Sequence, residues 1–273
     1  MLISIVTPCR NAGAYLKETI ESVIFQKAVL EKRCRLQYII MDGQSTDNTM
    51  EILEKYKKHN LFIISKKDDG MYDALAKGFR LCQGEIISYL NAGDFYSLRA
   101  FDVLLDLFGN NNKIHWLTGL KVIYNLNSSM TSASVPFNYR KRFFEKGLYG
   151  RYLPFVQQES TFYSKYLLEK IDLDELAKFK LAGDYYLWKT FSNFKSLHIV
   201  SAYLGGFKIH PNQLSSNLDL YFHEVKRITR TPNVFDYLLS TLDKILWNSP
   251  LKIKKVFNPN NLLFFNHKTG NWD

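Results

Sequence analysis

No stretch of this chain approaches the ~18 consecutive apolar residues that a membrane-crossing helix needs, so no helical span is expected. Cysteine is scarce. Cys9, Cys34 and Cys82 are odd in number and none stands in a CxxC pair, which speaks against a disulfide framework or a zinc site and for a reducing compartment. The first apolar run begins at Met1, with no basic leader and no small-residue cleavage site, so the expected location is the cytoplasm. Zinc-finger spacing, an RNP signature and an arginine-rich arm are all missing, and nucleic acid is not an expected partner. Internal repeats and low-complexity tracts are missing too. What is present is a chain of 273 residues, 46% of them hydrophobic. That length buries roughly three quarters of its unfolded surface in a core, and the composition is not that of a disordered chain. Lys and Arg number 36 against 26 Asp and Glu, a net +10 that favours an anionic partner.

The first half alternates two periodicities. Strand-like runs at Leu2–Val6, Leu36–Met41, Leu61–Ile64 and Glu85–Leu90 are separated by helical patterns at Ala14–Gln26, Asn48–Lys57 and Met71–Leu81, and Leu98–Phe108 follows. This order predicts an α/β fold with a mostly parallel twisted sheet and helices on both faces. The second half is less regular. Ile114–Tyr124 reads as a strand or two, Asn127–Ser134 as a loop, Ser164–Ile171 and Tyr185–Phe191 as helices, and Ser196–Phe207 as strand-like.

Four strand-like runs end in polar clusters: Thr7-Pro8-Cys9-Arg10-Asn11, Asp42-Gly43-Gln44-Ser45-Thr46-Asp47, Ser65-Lys66-Lys67-Asp68-Asp69-Gly70 and Asn91-Ala92-Gly93-Asp94. Right-handed crossovers place such ends on one rim of an open sheet, where ligands bind. Asp94, beside an amide and a glycine, suits a divalent cation that takes oxygen ligands. The plainer reading of Asp94 is a cap on the following helix. For Asp47, ahead of the helical pattern at Asn48–Lys57, capping is the preferred reading.

Taken together, Ile5–Ala12, Ile40–Thr49, Asp69–Ala74 and Gly84–Asp94 resemble the family 2 glycosyltransferases of GT-A fold, and bacterial enzymes of O-antigen or capsule synthesis in particular. The resemblance covers about residues 1–217: a nucleotide-binding half at 1–95, an acceptor-binding half at 96–217, and beyond them a basic amphipathic extension at 218–273. It implies an inverting, metal-dependent transfer of one sugar from a nucleotide-sugar donor, a UDP-sugar, to a saccharide hydroxyl, with the acceptor carried on a polyprenyl diphosphate. It further implies that Asp42 accepts from the uracil N3–H over a floor shaped by Thr7 and Pro8. Lys67, Asp69 and Asp73 then approach the nucleoside and diphosphate. Asn91, Ala92, Gly93 and Asp94 stand in the place of the DxD motif, with only Asp94 retaining a carboxylate. Asp94 and His210 are the implied contacts to Mn²⁺ or Mg²⁺, with His210 equally readable as structural. Asp184 in Leu181-Ala182-Gly183-Asp184-Tyr185 is the implied general base, although the family often carries Glu where Gly183 stands. Gln158, Glu159 and Trp188 are the implied acceptor contacts, with Glu159 a reserve base and core packing the plainer reading of Trp188.

Three other readings compete. A processive synthase needs membrane helices and a QxxRW motif, and a nucleotidyltransferase needs a glycine-rich, arginine-containing N-terminal loop; neither set is present. A non-catalytic nucleotide-sugar-binding module stays open. In the extension, Phe235, Leu238, Leu239, Leu242, Ile245 and Leu246 fall on one helical face, and Lys252, Lys254 and Lys255 interleave with apolar residues. That is the pattern of a segment lying on an anionic membrane surface. A helix packed on the catalytic domain and a dimer contact are the alternatives.

Overall fold

The computed structural model of the chain describes residues 1–110, 113–125, 127–209, 213 and 217–273. The elements run β1 (Leu2–Cys9), α1 (Leu16–Ile24), α2 (Lys27–Leu30), β2 (Arg35–Asp42), α3 (Thr49–Lys55), β3 (Leu61–Ser65), α4 (Met71–Phe79), β4 (Ile86–Tyr89), β5 (Phe95–Tyr96) and α5 (Ala100–Asn110). The second half holds β6 (Trp116–Thr118), β7 (Lys121–Tyr124), β8 (Met130–Ser134), α6 (Lys141–Glu145), β9 (Thr161–Ser164), α7 (Lys165–Leu168), α8 (Leu173–Leu176), α9 (Gly183–Ser192), β10 (His198–Val200) and β11 (Gly205–Lys208). The chain closes with α10 (Leu218–Ile228), α11 (Val234–Trp247), α12 (Leu251–Phe257), β12 (Leu262–Leu263) and a small hairpin of β13 (Phe265–Asn266) and β14 (Asn271–Trp272).

The main sheet has the order β3-β2-β1-β4-β9-β6-β10-β12. β1 to β4 pair in parallel, so their carboxyl ends share one rim as expected, and β9 alone runs antiparallel to its neighbours β4 and β6. Side chains that alternate along a strand enter two separate cores. Ile3, Ile5, Tyr38, Ile40 and Ile86 pack with α1, α3 and α5 on one face. Val6, Ile39, Met41, Ile87 and Tyr89 pack with α4 and α9 on the other. A second sheet, β5-β11-β7-β8, leans on the rim. Asn127–Ser134 is therefore not all loop: β8 pairs antiparallel with β7, and every one of its side chains is exposed, which is why it lacks the apolar alternation that marks a strand.

The three cysteines are buried free thiols. The extension at 218–273 packs into the body. Tyr221, Val225, Trp247 and Leu262 are buried in the core shared with α4 and α9, and β12 extends the main sheet beside β10. Among the described residues no helix is long and apolar enough to cross a membrane.

Candidate active site at the carboxyl rim of the sheet

β1 and β2 end in register, Cys9 opposite Asp42. Thr7 lies beneath the rim, fully buried, its hydroxyl 3.0 Å from that of Tyr38. Pro8 is buried beside it, opposite Met41. Asp42 is buried as well. Its carboxylate accepts from the Ser45 hydroxyl at 2.5 Å, the Ser65 hydroxyl at 2.6 Å and the Ser45 backbone N–H at 3.2 Å. A base N–H reaching Asp42 competes with those hydroxyls. Asp47 stands one residue before the N-cap, Asn48, rather than at it, and accepts from the Thr49 N–H at 3.0 Å and from the Gly13 N–H at 3.0 Å.

After β3, Lys67 and Asp69 are exposed. Asp73 turns back on its own loop, taking the Asp69 N–H at 2.9 Å and Lys77 Nζ at 2.8 Å. Burial alone would raise its pKa, yet the Lys77 hydrogen bond and charge hold it below the usual carboxylate value. Lys180 Nζ reaches the Asp69 carbonyl at 2.6 Å and Tyr72 Oη the Leu181 carbonyl at 3.0 Å. The loop after β3 is thereby tied to the loop that carries Asp184.

At the end of β4 the chain turns sharply, Asp94 N–H to Asn91 carbonyl at 3.1 Å, with Gly93 at φ 109°, a backbone region that suits only glycine. Asp94 is buried and its Oδ1 accepts the Lys208 N–H of β11 at 3.1 Å, so it caps no helix. Asn91 Nδ2 makes a long contact of 3.4 Å to Gln158 Oε1, while its Oδ1 is buried without a partner. Burial drives the Asp94 carboxyl far up, and the charge of Glu159 adds to this against the Lys208 N–H. Glu159, also buried, is pushed up to about 7 by burial and by the charge of Asp184, with Lys121 opposing. Asp94, Glu159 and Asp184 thus form a chain of acids that feel one another's charge. Gln158 anchors to the Tyr89 carbonyl.

Asp184 stands in the first turn of α9, where the helix dipole favours a carboxylate. Its Oδ1 accepts the Tyr185 N–H at 2.7 Å and the Tyr221 hydroxyl at 3.1 Å. Burial raises its pKa to about 6 against these hydrogen bonds. Tyr221, pushed far up by burial and by the Asp184 charge, stays a donor. Its neighbour on α10, Glu224, is buried and accepts the N–H groups of Lys180, Leu181 and Ala182 at 2.8 to 2.9 Å. Sequence reasoning missed Tyr221 and Glu224. The signal available was an acid in an otherwise amphipathic helix at a position its apolar stripe should occupy. Gly183 has a plain steric reason: a Cβ there would sit 2.3 Å from Tyr72 Cδ1.

Trp188 needs correcting as an acceptor contact. It is 2% exposed, stacked on Trp116 with centroids 5.7 Å apart and edge-on to Tyr163, inside the aromatic core. A helix with aromatics on several faces gives no clue to which face is outward. His210 lies outside the described residues.

A family model described as Glycosyl transferase family 2 matches residues 4–172. The chain belongs to that family. Chondroitin synthase from Escherichia coli is 35% identical over 109 residues, covering 39% of this chain and 15% of that protein. A putative teichuronic acid biosynthesis glycosyltransferase from Bacillus subtilis is 31% identical over 98 residues, 34% of this chain and 36% of its own length. The family 2 chain thus spans well under two thirds of these relatives. Among solved structures, S. aureus TarS 1–349 in complex with UDP-GlcNAc aligns at TM-score 0.60 and 16% identity, over 93% of this chain and 70% of that one. Glucosyl-3-phosphoglycerate synthase from Mycobacterium tuberculosis with Mn²⁺, UDP and phosphoglyceric acid aligns at 0.56 and 16%, over 85% and 80%. Both likenesses establish the GT-A fold.

Proposed function

We propose that the chain transfers one sugar from a UDP-sugar to a hydroxyl of a saccharide acceptor in bacterial surface polysaccharide synthesis, with inversion at the anomeric carbon. The observation that carries this reading is Asp184: a carboxylate at a helix start, half-buried, held by the Tyr221 hydroxyl and the Tyr185 N–H, raised to about 6 and still ionised at neutral pH. A general base works best with a pKa near the operating pH. In the reaction the acceptor oxygen bonds to the anomeric carbon, the bond from that carbon to the diphosphate oxygen breaks, and the acceptor proton passes to Asp184. Tyr221 and the Tyr185 N–H hold the carboxylate oriented while it waits. Of the solved neighbours, one is in complex with UDP-GlcNAc and another with UDP and Mn²⁺, which supports a uridine nucleotide donor here. Asp42, Thr7 and Pro8 are assigned to the base, and Lys67 and Asp69 to the exposed approach to the diphosphate.

The rim fits a divalent cation. Asn91 Oδ1 is a buried oxygen without a partner and Asp94 has one N–H on Oδ1 alone. Asn91 and Asp94 would hold Mn²⁺ or Mg²⁺, whose chemistry is to neutralise the departing diphosphate. Among the described residues no three acidic, histidine or cysteine side chains converge for a metal, so the ion is expected to arrive with the nucleotide. The acceptor is assigned to Gln158 and Glu159, and its carrier to a lipid diphosphate. A thermal-shift screen of nucleotide sugars with and without Mn²⁺ tests the reading, because a ligand bound only by the folded state raises stability. A metal-dependent shift with UDP-sugars that Asp94→Ala removes supports it. Equal shifts in native and Asp94→Ala protein, or none with any nucleotide sugar, would sink it.

A further inference from the structure

Helices α11 and α12 bury charged side chains while leaving large apolar ones outside, although α11 also turns Trp247 into the core. On α11, Asp236 and Asp243 are 0% and 1% exposed, whereas Leu238 and Ile245 are each 62% exposed. The inward acids have partners: Arg140 Nε and Nη2 donate to Asp243 at 2.7 and 2.9 Å, and Arg142 Nε donates to Asp236. Asp236 also closes a capping box with Asn233. These bonds fix the rotation of α11, and helical periodicity then turns Phe235, Leu238, Leu242 and Ile245 to the outside. α12 repeats the inversion. Lys254 is buried, its Nζ on the Val135 carbonyl at 2.6 Å, while Val256 and Phe257 are 73% and 62% exposed. A helix on a globular surface normally does the reverse. Contiguous apolar side chains left in water mark a binding face.

We propose that this outward face of α11 and α12 docks on an anionic lipid bilayer, its apolar side chains entering the acyl boundary. Charge decides for lipid. On α11 and α12 themselves the exposed charged side chains are the cations Lys244 and Lys252, and neither helix exposes an acid. Glu224, Asp236 and Asp243 are all turned inward. The face is thus apolar with a cationic margin, the combination that anionic headgroups complement. A second copy meeting it across a twofold axis would present the same cations to each other. The inference deepens the reading of a lipid-carried acceptor and does not depend on the transfer chemistry.

The test is co-sedimentation of the full chain with vesicles of equal parts phosphatidylglycerol and phosphatidylcholine, alongside phosphatidylcholine alone. The native protein is expected to pellet with the anionic vesicles, and to be released as salt rises. Leu238→Ser with Ile245→Ser should cut partitioning on the order of 100-fold while UDP titration stays unchanged. If that pair disturbs folding, seen as lost UDP binding, Lys244→Glu with Lys252→Glu decides: it should weaken binding to anionic vesicles only. Native protein that stays in the supernatant, or serine variants that pellet as the native does, would overturn the proposal. So would a native dimer, measured by sedimentation velocity, that the serine pair converts to monomer, since the face would then belong to a second copy. Loss of UDP binding in the native chain would instead strike the donor site and leave the lipid face standing.

Discussion

Tyr221 donates to Asp184 Oδ1 at 3.1 Å, and a hydrogen bond to a carboxylate favours its ionised form. Tyr221→Phe should therefore raise the pKa of Asp184 above its value of about 6. The proposed base acts when ionised, so activity is expected to fall as pH drops through that pKa. The acidic limb of the kcat/KM profile should move to higher pH in the variant, by about one unit. A purely structural role would lower the whole profile without moving the limb. Asn91 offers a second test. Its Oδ1 lacks a partner, and Asn91→Asp supplies a second carboxylate beside Asp94 in exchange for the long Nδ2 contact to Gln158. The Mn²⁺ concentration for half-maximal activity should fall by roughly 10-fold. An unchanged metal requirement would move the ion away from Asn91. At Gly183 the reverse is expected. Even a methyl group meets the Tyr72 ring, so Gly183→Ala should cost about 1–3 kcal/mol, read as a lower Tm. Gly183, where the resembled family often carries Glu, is thus fixed by the Tyr72 ring against it.

α10 clamps the chain that leads into α9: Glu224 accepts the N–H groups of Lys180, Leu181 and Ala182, the three residues ahead of the helix. Glu224→Ala should loosen residues 180–184, seen as faster amide exchange there, and lower kcat more than it weakens UDP binding. Equal exchange in native and variant would remove the clamp. This contact marks the limit of what the sequence displays. β1 to β4 and α1, α3, α4 and α5 were legible because each repeats its apolar residues at the period of its own geometry. The polar ends of those strands were legible as one rim for the same reason. β8 was not, since a strand with both faces wet carries no period-two pattern. The packing of α10 was not, because Tyr221 and Glu224 meet Asp184 and its loop only through tertiary contact, about forty residues on. The amphipathic stripe of α11 was legible as a stripe. Its direction was not, since Arg140 and Arg142, a hundred residues upstream, turn Asp236 and Asp243 inward.

For the whole molecule, the extension is part of the body. Deleting the chain from Leu218 onward removes Tyr221, Val225, Trp247 and Leu262 from the core. The truncated protein should aggregate, and a well-behaved monomer that still transfers sugar would contradict this packing. The buried acids also set a pH dependence. Glu159 sits at about 7 in the fold, above its ordinary value, so the ionised form burdens the native state at alkaline pH and the burden lifts as pH falls through 7. Glu159→Gln should raise the Tm of the ligand-free protein at pH 8 and have little effect near pH 5. Asp184→Asn bears most directly on the proposed chemistry, with UDP titration and sugar transfer measured on the same preparation. The proposal predicts UDP affinity close to native and transfer reduced ~10²–10⁴-fold. Near-native transfer by Asp184→Asn would contradict it, and would leave Glu159 as the carboxylate that takes the acceptor proton.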